Sequence, residues 1–183
     1  MAMRGYFAIG AEGISKPMNL GALMRTANAF GASFVFSVGA EPKLKVAYKA
    51  DTSKTFESVP YYQWDAISDM ALPKGCQLVG IELTDDAIEL PSFRHPKAAA
   101  YVLGRERGDL SEAMLERCSH VVKIPTQFCL NVSLAGALVM YDRLTVMGGF
   151  PTRPIMPGGP APQPKVPVKH GPVRMRRPVE DEG

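Results

Sequence analysis

The 183-residue chain has few cysteines, little net charge and no long apolar run, and each shortage excludes a class of protein. Its three cysteines, Cys76, Cys118 and Cys129, are too sparse for a disulfide framework, so we expect free thiols in a reducing compartment. No apolar run approaches the about 18–20 residues of a transmembrane helix, so no membrane partner is expected. Residues 1–6 lack the apolar stretch of a secretion signal, which argues against export and favours the cytoplasm.

Basic charge is in excess only near the end of the chain. Residues 1–150 hold 15 Lys and Arg against 15 Asp and Glu, whereas residues 151–183 hold 6 against 3. The second segment also holds nine of the sixteen prolines and no aromatic residue, so it cannot bury enough apolar surface to offset its ordering entropy. We predict a folded domain over 1–150 and a Pro/Gly-rich, basic, disordered tail over 151–183. The arginines at 174, 176 and 177 suit phosphate contacts, and a purely solubilising tail is the alternative.

Strand and helix patterns alternate along residues 1–150. The expected strands cover residues 6–9, 33–38, 59–64, 77–83, 99–103 and 120–124. The expected helices cover residues 19–30, 46–49, 65–72, 131–147 and a stretch to 117 that is N-capped by Ser111. This alternation predicts an α/β fold with a parallel sheet and helices on both faces, whose ligands bind beyond the carboxyl ends of the strands.

A first group of polar residues that packing does not require lies in the first helix. Asn19 stands where an N-cap would be, and Arg25 lies off the apolar stripe of the helix. The alternative is that Asn19 only caps the helix and that the Arg25 side chain is only solvated.

A second group lies in the loop Gly104-Arg105-Glu106-Arg107-Gly108, between a strand and a helix. Two glycines around a carboxylate allow the backbone to approach a ligand closely. An ordinary surface turn is the alternative interpretation of this loop. The spacing fits neither a dinucleotide-binding fingerprint nor a phosphate-binding loop.

The third group begins where a strand ends at Pro125 and a helix opens at Asn131. That helix is apolar nearly all round, so we expect it to be buried. Asn131 and Ser133 would then need hydrogen-bond partners, and helix capping is the alternative.

The order of these groups resembles the SpoU/TrmH family of RNA 2′-O-ribose methyltransferases, in the SPOUT superfamily. The resemblance spans nearly all of residues 5–147. Its motifs are Asn19-x-Gly21-x-x-x-Arg25-Thr26-Ala27, then Gly104-Arg105-Glu106-Arg107-Gly108, then Ile124-Pro125 followed by Cys129-Leu130-Asn131-Val132-Ser133-Leu134-Ala135. Two departures lie beside the expected cofactor pocket: the family usually has Ser where Cys129 stands, and the loop before Leu130 is shorter.

The resemblance implies a C-terminal deep trefoil knot, over roughly residues 99–147, that binds S-adenosylmethionine. It also implies a homodimer that packs knot against knot and forms an RNA cleft. The implied cofactor contacts are Leu83, Thr84, Leu103, Gly104, Glu106, Ile124, Pro125, Leu130, Asn131 and Ser133.

The implied reaction moves a methyl group from S-adenosylmethionine to a ribose 2′-hydroxyl of tRNA or rRNA, and small family members favour tRNA. The implied catalytic residues are Arg25, Asn19, Glu106 and Asn131. Because a guanidinium is almost never deprotonated, we expect Arg25 to pair a phosphate and stabilise alkoxide charge rather than act as a base. Asn19 and Asn131 would hold ribose or Arg25, and Glu106 would orient Arg25 or its own loop.

Two other functions stay open: methylation of a tRNA base nitrogen by a related SPOUT enzyme, and RNA binding without catalysis on the same fold. No metal is expected, because the histidines at 95, 120 and 170 are scattered and Cys118-x-His120 lacks further ligands at zinc spacing. We expect these histidines at ordinary surface or strand positions, and Cys129 as a Ser replacement in a packed turn.

Overall fold

In a computed structural model of the chain, the described residues are 5–40, 59–105 and 108–160. The strands within these ranges are β1 (Tyr6–Glu12), β2 (Phe34–Val38), β3 (Tyr61–Trp64), β4 (Gln77–Ile81), β5 (Ile88–Glu89), β6 (Ala98–Leu103) and β7 (His120–Lys123). The helices are α1 (Pro17–Phe30), α2 (Glu112–Arg117) and α3 (Val132–Met147), with 3₁₀ turns at Ile67–Asp69 and Leu90–Ser92.

The strands form one sheet in the order β3-β2-β1-β6-β4-β7-β5, and every pairing described in it is parallel. Strand β6 lies at the centre, with Tyr101 opposite Ile9 of β1 and Val79 of β4. The predicted parallel α/β sheet is confirmed. Its parallel direction brings the carboxyl ends of β1, β6, β4 and β7 to one edge.

Helices cover both faces of this sheet. Phe7 and Ile9 of β1 pack in one cluster with residues of α1 and α3, including Leu23. Ala8, which points to the opposite face, packs in a second cluster with Met114 of α2. The predicted helices on both faces are therefore confirmed.

Helix α1 begins earlier than predicted. Its N-cap is Lys16 and Pro17 is the first helical residue, so Asn19 is not the N-cap and that prediction is wrong. Proline suits the first helical position because its fixed φ is helical and its missing N–H has no partner there. The helix ends at Phe30 as predicted, and Gly31 follows it in the left-handed conformation with a φ of 73°.

The expected helix over residues 65–72 is wrong, because this segment forms only the 3₁₀ turn Ile67–Asp69. Arg117 of α2 donates hydrogen bonds to the carbonyl oxygens of Ile67 and Met70, and the Ile67 carbonyl also accepts from the backbone N–H of Met70 at 3.2 Å, the bond that closes the 3₁₀ turn. Strand β5 was not predicted, and the expected helix at residues 46–49 lies outside the described residues.

Helix α3 is buried on one side only, so the prediction of a fully buried helix is wrong. Val139 and Met140 are buried, and a Cβ on Gly136 would lie 2.6 Å from Leu23 Cδ1. The opposite side exposes Leu134, Leu138, Tyr141 and Val146. The sheet and α1 can cover only one face of this apolar helix.

A buried polar network joins α3 to the sheet. Arg143, whose side chain is fully buried, donates to the Tyr101 hydroxyl at 3.0 Å and to the carbonyl oxygens of Pro96 at 2.7 Å and Lys97 at 2.9 Å. His95 joins the network: its Nδ1 lies 2.6 Å from the Tyr101 hydroxyl and its Nε2 lies 2.9 Å from Asp142 Oδ2.

The expectation that the histidines hold ordinary positions is therefore wrong for His95, which is 6% exposed. Burial raises the pKa of Tyr101 to about 12, so its hydroxyl stays protonated and can donate to His95 Nδ1 while accepting from Arg143. The hydrogen-bond pattern then assigns a neutral His95 whose Nε2–H donates to Asp142.

Stability is expected to fall as the pH drops below neutrality. Burial lowers the pKa of His95 in the folded protein, outweighing the opposing effect of Asp142. The unfolded chain therefore binds a proton first, so this stability is present above the unfolded pKa of about 6.5 and is lost as the pH falls towards the folded value. Thermal unfolding should give a lower Tm at pH 5 than at pH 7.5. The difference should shrink in His95→Gln and persist in His120→Gln.

The chain divides into two units at the bond between Phe150 and Pro151. Residues 151–160 are exposed and form neither helix nor strand. Residues 161–183, with the arginines at 174, 176 and 177 and with His170, lie outside the described part. Among the described residues, no helix is both long and apolar enough to cross a membrane.

Candidate functional site

A cavity of about 220 Å³ lies at the edge where β6, β4 and β7 end. Its walls come from residues that end or follow these strands and from the first turns of α1 and α3. They are Lys16, Asn19, Ile81, Glu82, Leu83, Leu103, Gly104, Arg105, Gly108, Asp109, Ile124, Thr126, Cys129, Leu130, Asn131, Val132 and Ala135. Apolar side chains alternate with charged and amide groups, so the cavity suits a ligand with both an apolar ring and polar groups.

Six of the predicted cofactor contacts surround this cavity: Leu83, Leu103, Gly104, Ile124, Leu130 and Asn131. The structure does not place Thr84, Pro125 or Ser133 in its walls, although each is next to a residue that is. Glu106 lies outside the described residues, so both roles predicted for it stay predictions.

Two asparagines from separate motifs meet beside the cavity. Asn131 Nδ2 donates to Asn19 Oδ1 at 3.1 Å, across 112 residues of chain. Asn131 is also the N-cap of α3, because its Oδ1 accepts from the backbone N–H of Ser133 at 2.9 Å and from the Ser133 hydroxyl at 2.7 Å. The capping alternative is thus correct for Asn131, yet its amide nitrogen is directed to Asn19, which is 7% exposed.

Substitutions at Asn131 should separate its two roles. Asn131→Ala should cost about 1 kcal/mol of stability through the lost cap. Asn131→Ser keeps a capping oxygen but has no donor for Asn19, so it should recover the stability without recovering ligand binding in the cavity. Urea unfolding measures the first quantity and calorimetric titration the second. If Asn131→Ser fully recovers both stability and ligand binding, helix capping is the whole role of Asn131.

Arg25 is not brought to this pair of asparagines. It is exposed on α1, six residues after Asn19, and does not line the cavity. At 100° per residue the two side chains leave the helix about 120° apart, which places them on different faces. A role for Arg25 must therefore be exerted from outside the cavity.

Two carboxylates at strand ends were not predicted. Glu82, directly after β4, accepts from the backbone N–H of Leu110 at 2.8 Å and from that of Leu83 at 2.9 Å. Glu12, the last residue of β1, accepts from the backbone N–H of Ser111 at 2.9 Å. The available signal was an acidic residue at the end of a buried apolar strand.

Close contacts explain why position 104 is occupied by glycine. A Cβ there would lie 2.7 Å from Glu82 Oε2 and 3.4 Å from the backbone nitrogen of Leu110. Any side chain at this position would displace the Glu82 carboxylate from the loop that it holds.

The cysteines and histidines offer little other chemistry. Cys129 is exposed and lines the cavity, so the prediction of a packed turn is wrong. Burial raises the pKa of Cys118 to about 11, so its thiol stays protonated at neutral pH and is a poor nucleophile. No cluster of three metal-ligating side chains occurs in the described part of the chain.

The chain is similar to a known family over most of its length. The model of the SpoU rRNA Methylase family matches residues 6–141. The tRNA (guanosine(18)-2′-O)-methyltransferase of Escherichia coli K12 is 26% identical over 137 residues, which cover 72% of this chain and 59% of that protein. The 23S rRNA (guanosine-2′-O-)-methyltransferase RlmB of Neisseria meningitidis serogroup B is 31% identical over 145 residues, or 72% of this chain and 55% of that protein.

Solved structures share the fold. The AdoMet-bound rRNA methyltransferase from Sinorhizobium meliloti superposes with a TM-score of 0.68 at 20% identity, covering 78% of this chain and 57% of that one. The TrmH/SpoU tRNA modifying enzyme from A. aeolicus gives a TM-score of 0.64 at 19% identity. The match covers 79% of this chain and 77% of that one.

Proposed function

Because the chain belongs to the SpoU rRNA methylase family, we propose that it is an S-adenosylmethionine-dependent enzyme that methylates a ribose 2′-hydroxyl of RNA. The observation that carries the proposal is the cavity at the sheet edge, where Asn19, Gly104 and Asn131 from the three motifs meet. The named activities of the E. coli and N. meningitidis relatives support the same reaction on tRNA or 23S rRNA.

The residues around the cavity fit S-adenosylmethionine. Apolar side chains such as Leu83, Leu103 and Ile124 suit the faces of an adenine ring, while the Glu82 and Asp109 carboxylates suit hydroxyl or ammonium groups. The steric limit at Gly104 keeps this wall open. Of the remaining predicted contacts, Thr84, Glu106 and Pro125 belong to the segments that follow these strands, and Ser133 lies in the first turn of α3. When bound, the cofactor supplies an electrophilic methyl carbon.

The chain's own task is to bind and orient the acceptor. The hydrogen bond between Asn131 and Asn19 fixes one wall of the cavity, where these amides would hold the ribose. Arg25, exposed and outside the cavity, would pair the neighbouring phosphate and stabilise negative charge that develops on the attacking oxygen. Its guanidinium keeps its proton, so it is not the general base. We assign to Glu106 the orientation of Arg25 or of its own loop.

We also propose the trefoil knot over roughly residues 99–147. Two features support it. Strand β6 lies between β1 and β4, which both precede it in the sequence. Strand β7 lies on the other side of β4. Arg143 of the last helix then reaches back to the carbonyl oxygens of Pro96 and Lys97, just before β6.

The exposed side of α3 supports a homodimer. Leu134, Leu138 and Tyr141 form an apolar stripe that a second copy would cover. Sedimentation equilibrium should give about twice the 19.8 kDa mass of the chain. Leu138→Glu, which places a charge in the stripe, should shift the mass towards that of one chain. An unchanged mass in this variant would place the interface elsewhere.

We propose tRNA ahead of rRNA as the acceptor. We also propose that residues 1–150 form the methyltransferase unit and that the basic residues of the tail over 151–183 bind RNA phosphates. The cysteines Cys76, Cys118 and Cys129 are free thiols, which suits the reducing cytoplasm, where these RNAs are found.

A methyl-transfer assay tests the function. The purified chain is incubated with methyl-labelled S-adenosylmethionine and separate tRNA and rRNA fractions, which are then digested to nucleosides and identified by mass. We expect a 2′-O-methylated nucleoside. A base-methylated nucleoside would instead indicate the base-nitrogen reaction. RNA binding without any cofactor binding would indicate a non-catalytic RNA-binding protein.

A further inference from the structure

Two carboxylates hold consecutive backbone amides at the end of the loop that follows β6. Glu82 accepts from the N–H of Leu110, and Glu12 accepts from the N–H of Ser111. Both acids stand at the carboxyl ends of strands, 28 and 99 residues away in the chain. The loop that they hold supplies Gly104, Gly108 and Asp109 to the wall of the cavity.

Glu12 is fixed at both oxygens. Its Oε2 accepts from the backbone N–H of Ser111, and its Oε1 accepts from Arg105 Nη2 at 3.3 Å. Glu12 is 4% exposed, whereas the side chain of Arg105 is half exposed and lines the cavity. Glu12 itself does not line the cavity, so any influence on a ligand there must pass through Arg105 or Ser111.

The neighbouring backbone leaves space for this ion pair. Gly13 has a φ of 58°, and a Cβ there would lie 3.0 Å from Arg105 Cγ and 3.2 Å from its Cδ. The stem of Arg105 therefore lies over the turn after β1, and its head lies against Glu12. The start and the end of the loop after β6 are thus tied to the same carboxylate.

We propose that Glu12 is a positioning residue for cofactor binding, which holds Gly104, Arg105, Gly108 and Asp109 as a wall of the cavity through Arg105 and Ser111. This inference rests on the proposed function. Removing the carboxylate leaves the Ser111 amide without its acceptor and releases the Arg105 guanidinium into the cavity. A charge-assisted hydrogen bond is worth enough for the loss to weaken S-adenosylmethionine binding about tenfold.

Calorimetric titration with S-adenosylmethionine tests the proposal in the full chain. Glu12→Ala should raise the Kd about tenfold. Glu12→Gln, which keeps an oxygen for Ser111 but loses the charge, should give an intermediate value. Glu112→Ala, an exposed glutamate next to Ser111, is the matched control and should bind like wild type. In a methylation assay Glu12→Gln should raise the KM for the cofactor and leave kcat nearly unchanged.

Tryptic cleavage gives a second readout that needs no cofactor. The loop contains two trypsin sites, at positions 105 and 107. Cleavage there should be faster in Glu12→Gln than in the Glu112→Ala control. Wild-type binding and cleavage in Glu12→Gln would overturn the inference. If wild type binds no S-adenosylmethionine, the proposed function fails, while faster cleavage still shows that Glu12 positions the loop.

Discussion

Arg25→Ala should lower the rate of RNA methylation about 100-fold or more while leaving the fold and cofactor binding unchanged. A group that stabilises charge developing in a transition state typically contributes about 10²–10³ in kcat. Arg25 is exposed on α1 and lies outside the cavity, so its removal should disturb neither the core nor the cofactor site. Single-turnover methylation with saturating S-adenosylmethionine measures this effect, and calorimetry measures binding.

Two variants serve as controls for Arg25. Arg94→Ala removes another exposed arginine, near the sheet edge strand β5, and should keep the wild-type rate. Arg25→Lys keeps the charge but loses the planar fork that pairs a phosphate at two points, so it should recover only part of the rate. An Arg25→Ala protein that methylates RNA at the wild-type rate would remove Arg25 from the mechanism.

Arg143→Met should destabilise the fold by about 3 kcal/mol, the scale on which breaking a buried ionic hydrogen-bond network destabilises proteins. The substitution keeps an apolar stem but leaves the Pro96 carbonyl and the Tyr101 hydroxyl without their donor. It also removes a cation that lies 5.3 Å from the centre of the Phe7 ring. Chemical or thermal unfolding measures the loss, which corresponds to roughly 6–12 °C in Tm.

Arg94→Met is the matched control for this effect, because it makes the same change at an exposed position and should leave the Tm within about 1 °C of wild type. Arg143→Lys should be nearly as unstable as Arg143→Met, since a single ammonium cannot reproduce the two-armed contacts of the guanidinium. A wild-type Tm in Arg143→Met would mean that the network adds nothing to stability.

Local signals in the sequence predicted much of the fold correctly. Helix α1 ends just before Gly31, Ser111 caps α2 by accepting from the backbone N–H of Met114, and Asn131, for which capping was the alternative interpretation, caps α3. Each is a short-range pattern in which one residue satisfies backbone groups within a turn of itself. Asn19 shows the limit of such patterns, because Pro17 is a stronger start for the same helix.

Contacts between distant parts of the chain could not be predicted in this way. The pairing of Asn19 with Asn131 and that of Glu12 with Ser111 each join residues about one hundred positions apart. The burial of Arg143 could not be predicted from its position after an apolar run. Only the packing of α3 against the segment before β6 shows that this side chain is buried. Such contacts depend on the sheet order, which local patterns do not specify.

The most direct test of the central claim is a crystal structure of the chain grown with S-adenosylmethionine. We predict that the adenosine lies in the cavity at the carboxyl ends of β4, β6 and β7, in contact with Leu83, Leu103 and Ile124. Density for the cofactor at another place, or a cavity without it at concentrations that saturate the protein in solution, would contradict this assignment.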